Sequence, residues 1–392
     1  MQIITTTEDL SALCARLSAH DFVTVDTEFM RESTYWPKLC LIQIASREEE
    51  AIIDPLAPDI DLASLFALLA NEDVVKVFHA ARQDVEIFYH LSGAIPAPLF
   101  DSQIAAMVCG FGEQVSYSML VKKITGADLD KSSRFTDWAK RPLSKKQLTY
   151  ALGDVTHLRD IYLKLQKDLA KSGRSAWLGE ELLTLTSTST YDIQPNEAWR
   201  RLKMRVNNRR ALGILVELAA WREALAQSAN IPRGRVMKDD ALYDVANQAP
   251  SSAKELGQLR SVSEGFAKSD KGKDVLAAIA RGQAKSMDEI PPLKKGTPLD
   301  ANAMAVCELL KVYLKAVAAQ NNVAPKLIAS VADLEKLALS DTAAIPAMKG
   351  WRFDLFGRQA LRLKRGELVL AIENQRVKAV EHTGVAAEAT TP

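Results

Sequence analysis

Residues 23–29, VTVDTEF, set two acids, Asp26 and Glu28, into an otherwise apolar and β-branched run. Such residues favour a strand, and side chains two apart on a strand leave the same face. Both carboxylates therefore project from one face of a segment whose remaining residues read as buried. Burying even one carboxylate is costly unless hydrogen bonds or a cation meet it. A pair at this spacing asks for a metal ion, and for further oxygen ligands elsewhere in the chain.

Two other segments supply them. VFHAARQDVEIF, residues 77–88, places Asp84 just inside a helix that leaves a strand, and YALGD, residues 150–154, places Tyr150 and Asp154 four apart on one helix face. Unit charges about 4 Å apart repel by ~4 kcal/mol per pair at an effective dielectric of about 20. Divalent cations reverse that sign. Hard oxygen ligands suit Mg²⁺ or Mn²⁺, with Zn²⁺ a third candidate. Two such ions roughly 3.5–4 Å apart clamp a phosphodiester, one activating the attacking water and the other neutralising the leaving oxygen. Tyr150 could orient or deprotonate that water.

Each of these residues also has a purely structural reading. Asp26 or Glu28 alone fits a strand-end acid bonded to backbone, and Asp84 a first-turn acid favoured by the helix dipole. Tyr150 fits core packing with a satisfied hydroxyl. Asp154 fits an ion pair with Arg159 or Lys146. The coincidence of three segments favours the metal site. His79 reads equally as a substrate contact or as a satisfied strand-end histidine. Phe29, Tyr35 or Trp36 could stack on a terminal base, although core or rim packing is the commoner fate of each. Asp101 reads first as a helix N-cap. Gly110 and Gly112 are followed by Val115, not a third glycine, so no dinucleotide loop and no nucleotide cofactor are expected.

Residues 1–170 alternate strand and helix signals: IITT, VTVDTEF, CLIQIAS, EAIIDP and VVKVFH as strands, ARQDVEIFYHLSG and the long stretch from Ser144 to Gly173 as helices. The early strands follow each other closely, which suits hairpins. The expected fold is an α/β unit over residues 1–190, a mixed sheet covered by helices, followed by two small all-α helical domains. Residues 191–208 read as a basic linker, 209–290 and 297–375 as the helical domains, and 376–392 as a disordered tail.

Charge divides along the same line. Residues 1–190 hold 19 Lys and Arg against 26 Asp and Glu, a net of −7, whereas 191–392 hold 31 against 23, a net of +8. An acidic half followed by a basic half suits a metal-using catalytic unit joined to something that holds a polyanion. The basic candidates are Arg200 and Arg201 in WRRLKMRVNNRR, and Arg233, Arg235 and Lys238 in the loop-like NIPRGRVMK. Cys14, Cys40, Cys109 and Cys307 form no CxxC pair, which argues against a zinc knuckle and fits a reducing cytoplasm. The opening MQIITTTEDL shows no signal-peptide pattern, and no apolar run is long enough to cross a bilayer, so no membrane partner is expected.

Taken together, DTEF, HAARQD and YALGD resemble the three motifs of the DEDD superfamily of 3′→5′ exonucleases. Tyr150, four residues before the last Asp, matches the Tyr branch; position 149 is Thr, where the other branch has His. The strings FMRESTYWPKLCLIQIA and DWAKRPLSKKQLTYALGDV are similar to the ribonuclease D family. AWREALAQSANIPRGRVMKDDALYDVANQAP resembles the HRDC domain, a helical nucleic-acid-binding module, and residues 297–375 look like a second, more divergent copy. The resemblance implies a ribonuclease H-like fold, two metal ions on Asp26, Glu28, Asp84 and Asp154, and Tyr150 as the water-positioning group. It implies removal of 3′ nucleotides from structured RNA, with tRNA precursors carrying a 3′ extension as the expected partner. A DNA 3′→5′ exonuclease and a catalytically silent RNA-binding scaffold are the alternatives. The intact acids speak against the scaffold.

Overall fold

The computed structural model describes residues 2–130, 132–133, 136–203, 206, 208–293 and 298–382. Six strands form the first sheet: β1 (Gln2–Ile4), β2 (Phe22–Met30), β3 (Lys38–Ala45), β4 (Glu50–Ile53), β5 (Val75–Phe78) and β6 (Leu99–Asp101). Their spatial order is β1-β4-β3-β2-β5-β6. β2, β3 and β4 pair antiparallel, the hairpins expected from their short connections, while β5 and β6 add to β2 in parallel and β1 adds to β4 in parallel.

Helices α1 (Thr7–Leu17), α2 (Ala63–Ala70), α3 (Arg82–Ser92), α4 (Ser102–Val108), α5 (Tyr117–Thr125), α6 (Lys145–Ser172) and α7 (Ser175–Leu182) surround the sheet. α6 starts at a capping box between Ser144 and Gln147 and stops at Gly173, whose φ is +68°. Its Ala151, Leu152 and Val155 pack on Leu41, Ala45 and Ile52. The Thr24 hydroxyl donates to the Val155 carbonyl at 2.9 Å, which fixes β2 beneath the helix. β3 is buried on both faces, which is why its residues 39–45 do not alternate.

The first helical unit is built on α8 (Arg209–Ser228) and the helix Asp270–Ala284. They approach so closely that a Cβ on Gly282 would lie 2.5 Å from the Ile214 Cα. Residues 191–208, expected as a linker, belong largely to this unit. Pro195–Arg201 forms a 3₁₀ helix, and Trp199, Leu202 and Val206 join the unit's core. The apolar residues scattered through that basic stretch decide the outcome.

The second unit repeats the order of elements. In the first, α8 is followed by Asn230 at φ +49° and the helices Arg233–Val236 and Asp239–Gln248. In the second, Ala301–Asn321 is followed by Asn322 at φ +50° and the helices Pro325–Ile328 and Val331–Leu339. It then departs from an all-helical plan. A hairpin of β7 (Leu368–Glu373) and β8 (Arg376–Glu381) closes it, turning through Asn374 and Gln375, both with positive φ. Residues 376–381, expected in the tail, are therefore a strand; the rest of that expectation, from 383 onward, lies outside the described residues.

Both units dock on the catalytic one. Tyr35 is buried against Ala226 and Val236 of the first. Its hydroxyl donates to Glu223, and its backbone N–H donates to Asn230 Oδ1 at 3.1 Å. The second unit is held by Arg174, which donates to the Asn321 carbonyl at 2.6 Å, and by Trp177 stacked on Trp351 at 4.1 Å. Gly110, at φ +83°, leaves no room for a side chain, since a Cβ there would lie 2.4 Å from Asn322. Gly110→Ala is expected to lower the urea-unfolding free energy by about 1–3 kcal/mol and to speed limited proteolysis between residues 298 and 322. Unchanged digestion would show that this contact does not hold the unit.

Candidate active site

Asp26 and Glu28 leave β2 on the face turned toward α6, as the two-residue spacing requires. One turn of α6 brings Asp154 above them. Asp26, Glu28 and Asp154 can each offer an oxygen such that the three lie within 4.8 Å of one another, and all three are half-buried. The strand pairing shifts register between Glu28 and Phe29. Such an irregularity bends a strand and commonly marks a site. Arg159 and Lys146, the two ion-pair partners considered for Asp154, bind Glu50 at 3.4 Å and Asp130 at 3.4 Å.

Asp84 stands outside this group of three. It lies in the first turn of α3, buried, and accepts the Thr27 hydroxyl at 2.5 Å from the other face of β2. Its charge is nevertheless felt. Burial first, and then the charges of Asp154, Asp84 and Glu28, hold the Asp26 carboxyl well above the usual carboxylate range. Burial likewise pushes Asp84 up to about 7, against the opposing Thr27 hydrogen bond.

Tyr150 lies one turn before Asp154 on α6, half-buried, its ring 6.1 Å from that of Trp138. Phe29 packs against the main core. His79 is a satisfied histidine. Its Nδ1 is 2.9 Å from the Ser102 hydroxyl, and burial pushes it down to about 4 against a hydrogen bond with the Val115 backbone. Asp101 is the N-cap expected of it, and more. Its carboxylate accepts from the N–H groups of Gln103 and Ile104 in α4, and from Ala80 and Ala81 at the start of α3. One acid thus fixes both helix starts and stabilises Ala80 in the left-handed region at φ +57°.

Two residues near the acids carry no motif. Gln43 sits directly opposite Asp26 in the β2–β3 register. It is fully buried, and among the described residues neither atom of its side-chain amide has a hydrogen-bond partner. The Tyr117 hydroxyl donates to the Gly153 carbonyl at 2.9 Å, and burial, then Asp154 and Asp26, raise its pKa well above the usual phenol value. Only strand alternation around LIQIA could have pointed to Gln43; nothing local points to Tyr117.

The basic residues separate sharply. Arg233 does not reach outward from a loop: it opens a short helix, pairs with the buried Glu223 at 2.6 Å and lies 5.2 Å from the Tyr35 ring centre. A buried acid beside it outcompetes solvent for the guanidinium. Arg200 is exposed but bound to Glu197 and stacked over Trp199. Arg201 is exposed, its pKa lowered by burial and by Arg233. Arg235 and Lys238 remain exposed.

Clustered carboxylates from β2 and α6, with the Gln43 amide opposite Asp26, define a metal-dependent phosphodiesterase on an exonuclease-type fold. The donor set fits hard divalent ions, since hydrated ions of this kind bring both charge and water donors to carboxylates and amide alike. A family model described as a 3′-5′ exonuclease matches residues 1–170, and an HRDC domain model matches 211–279. Ribonuclease D of Nitrobacter hamburgensis is 51% identical over 98% of this chain and 100% of its own length. Ribonuclease D of Bartonella henselae is 47% identical over 96% of this chain and 93% of its own. The crystal structure of Escherichia coli RNase D superposes with a TM-score of 0.81 at 30% identity, covering 93% of this chain and 98% of that one. The chain belongs to the ribonuclease D family, and it is a 3′→5′ exoribonuclease. That fold uses divalent metal ions.

Because the folded state holds His79 near 4 while the unfolded chain titrates near 6.5, protons bind the unfolded state more readily in that window. The histidine's contribution is complete above about 6.5 and is lost as pH falls toward about 4. On going from pH 7 to pH 5 the raised carboxyls of Asp26 and Asp84 stabilise the metal-free chain while His79 destabilises it, so His79→Gln is expected to lose less, or gain more, urea resistance than wild type. Equal changes in both would remove the neutral imidazole from the account.

Proposed function

We propose that this exoribonuclease trims 3′ extensions from structured RNA, tRNA precursors among them, and releases nucleoside 5′-monophosphates. The observation that carries the reading is the convergence of Asp26, Glu28 and Asp154 within 4.8 Å at a face shared by β2 and α6. Asp26, Glu28, Asp84 and Asp154 would hold two divalent ions, Mg²⁺ or Mn²⁺. When bound, such ions supply an activated water and a counter-charge for the leaving oxygen.

The chain's own groups do the placing. Burial, then the charges of Asp154, Asp84 and Glu28, raise the Asp26 carboxyl, so a cation beside it favours the negative form. Thr27 donates to Asp84 Oδ1 and steadies that carboxylate. The Tyr150 hydroxyl, one turn from Asp154, orients the attacking water. Tyr117 bonds the carbonyl just before Asp154 and so steadies that turn of α6.

The E. coli relative is described as an exoribonuclease involved in structured RNA processing. A long chain with a basic second half suits the same class of substrate here. Exposed Arg201, Arg235 and Lys238 are first-unit cations that can meet phosphates, and the second helical unit reads as a divergent HRDC domain on its element order. The four cysteines are free, and among the described residues no helix is long and apolar enough to cross a membrane. We place the enzyme in the cytoplasm on the first of these.

Purified chain incubated with 3′-extended tRNA and with matched DNA, with and without Mg²⁺, is expected to shorten only the RNA, only with metal, in single-nucleotide steps. Asp26→Asn and Asp154→Asn should each lower kcat/KM by at least ~10³-fold, a loss of ~4 kcal/mol in transition-state stabilisation, with RNA affinity retained. Tyr150→Phe should keep Mn²⁺ binding and lose about 10²-fold in single-turnover rate. Near-normal turnover in any of the three would remove that residue from the mechanism.

A further inference from the structure

The second helical unit carries a donor-lined double groove that the acid cluster does not involve. One groove, of about 430 Å³, is lined by Tyr313, Gln320, Gln359, Arg362, Arg376 and Lys378 among others. The other, of about 580 Å³, is lined by Lys315, Gln320, Gln375 and Arg376 with a small apolar wall from the helix Ala301–Asn321. They share Gln320 and Arg376, so they meet where that helix faces the β7–β8 hairpin. Gln320 donates to the Val377 carbonyl at 3.1 Å and ties the two walls together. Volumes of this size match ligand clefts.

The side chains there are donors almost throughout. The acids nearby are already bound: Glu381 by Arg362 at 2.8 Å, and Glu373, opposite Arg376 across the turn, by Lys378 at 2.8 Å. Among the described residues Lys315 and Arg376 form no ion pair, and both are exposed. Tyr313 is 6% exposed, its ring stacked on Phe356 at 5.4 Å. Tyr313 lines the first groove, where its hydroxyl is a donor. The hairpin's left-handed Asn374 and Gln375 hold Arg376 at the head of its strand, so the cation is presented from a rigid element.

We propose that this double groove binds the phosphodiester backbone of the RNA substrate, with Arg376 and Lys315 meeting phosphates and Gln320, Gln359 and the Tyr313 hydroxyl meeting phosphate or ribose oxygens. Polyanion contacts of this kind position a strand without reading its sequence. The inference rests on the exoribonuclease reading above and assigns a holding surface to the second unit, away from the residues that cut.

The full chain carrying Arg376→Glu with Lys315→Glu tests it. Wild type, this variant and a matched double reversal on α6, Lys167→Glu with Lys171→Glu, are compared by filter binding of 3′-extended tRNA across salt, and by hydrolysis of a four-nucleotide RNA with Mg²⁺. The groove variant should bind tRNA at least 10-fold more weakly, with the slope of log K against log salt shallower by about 1.5. It should hydrolyse the short RNA at the wild-type rate. Unchanged tRNA affinity and slope, or an equal loss in the α6 variant, overturns the groove. Wild type that hydrolyses neither RNA overturns the enzymatic reading instead, so the two failures are distinguishable.

Discussion

Mutual repulsion among half-buried carboxylates is the constraint on which the catalytic unit depends. Asp26, Glu28 and Asp154 are brought within 4.8 Å by two rigid elements that have their own reasons to pack. β2 is the strand on which both neighbouring pairings converge, and α6 is clamped to it through Thr24 and an apolar seam. The acids are thus held against their own electrostatics by hydrophobic burial that they do not contribute to. A cation relieves that tension, so binding it and stabilising the fold are one event. The Thr27 to Asp84 hydrogen bond extends the same arrangement through the strand to α3.

Asp101 shows how economically the surroundings are built. A single buried carboxylate satisfies four backbone donors from two helices and stabilises the left-handed Ala80. The chain direction at Asp84 follows from it. His79, one residue before Ala80, is hydrogen-bonded to Ser102 and Val115.

Much of this was legible in the sequence because it is local. Alternation in VTVDTEF put Asp26 and Glu28 on one face, the four-residue step put Tyr150 and Asp154 on another, and the capping box and Gly173 bounded α6. What escaped notice is relational. Strand register sets Gln43 opposite Asp26, and the three-residue strand β6 has too few residues to show a period. Arg233 looked like a loop cation because Glu223, its buried partner, sits on a different helix. Residues 195–206 read as a connector because their many charges hid the spacing of Trp199, Leu202 and Val206. The hairpin over 368–381 was missed because neither strand is buried deeply enough to show an apolar pattern.

The loop that follows β2 has a further meaning. Seven residues after Glu28 leaves the cleft, Tyr35 and Trp36 are already anchored in the first helical unit by Asn230 and Glu223. That unit is therefore a splint on the very strand that presents the catalytic oxygens. Fraying of the helices would slacken the cleft itself, and the chain's halves, opposite in charge, share one mechanical fate.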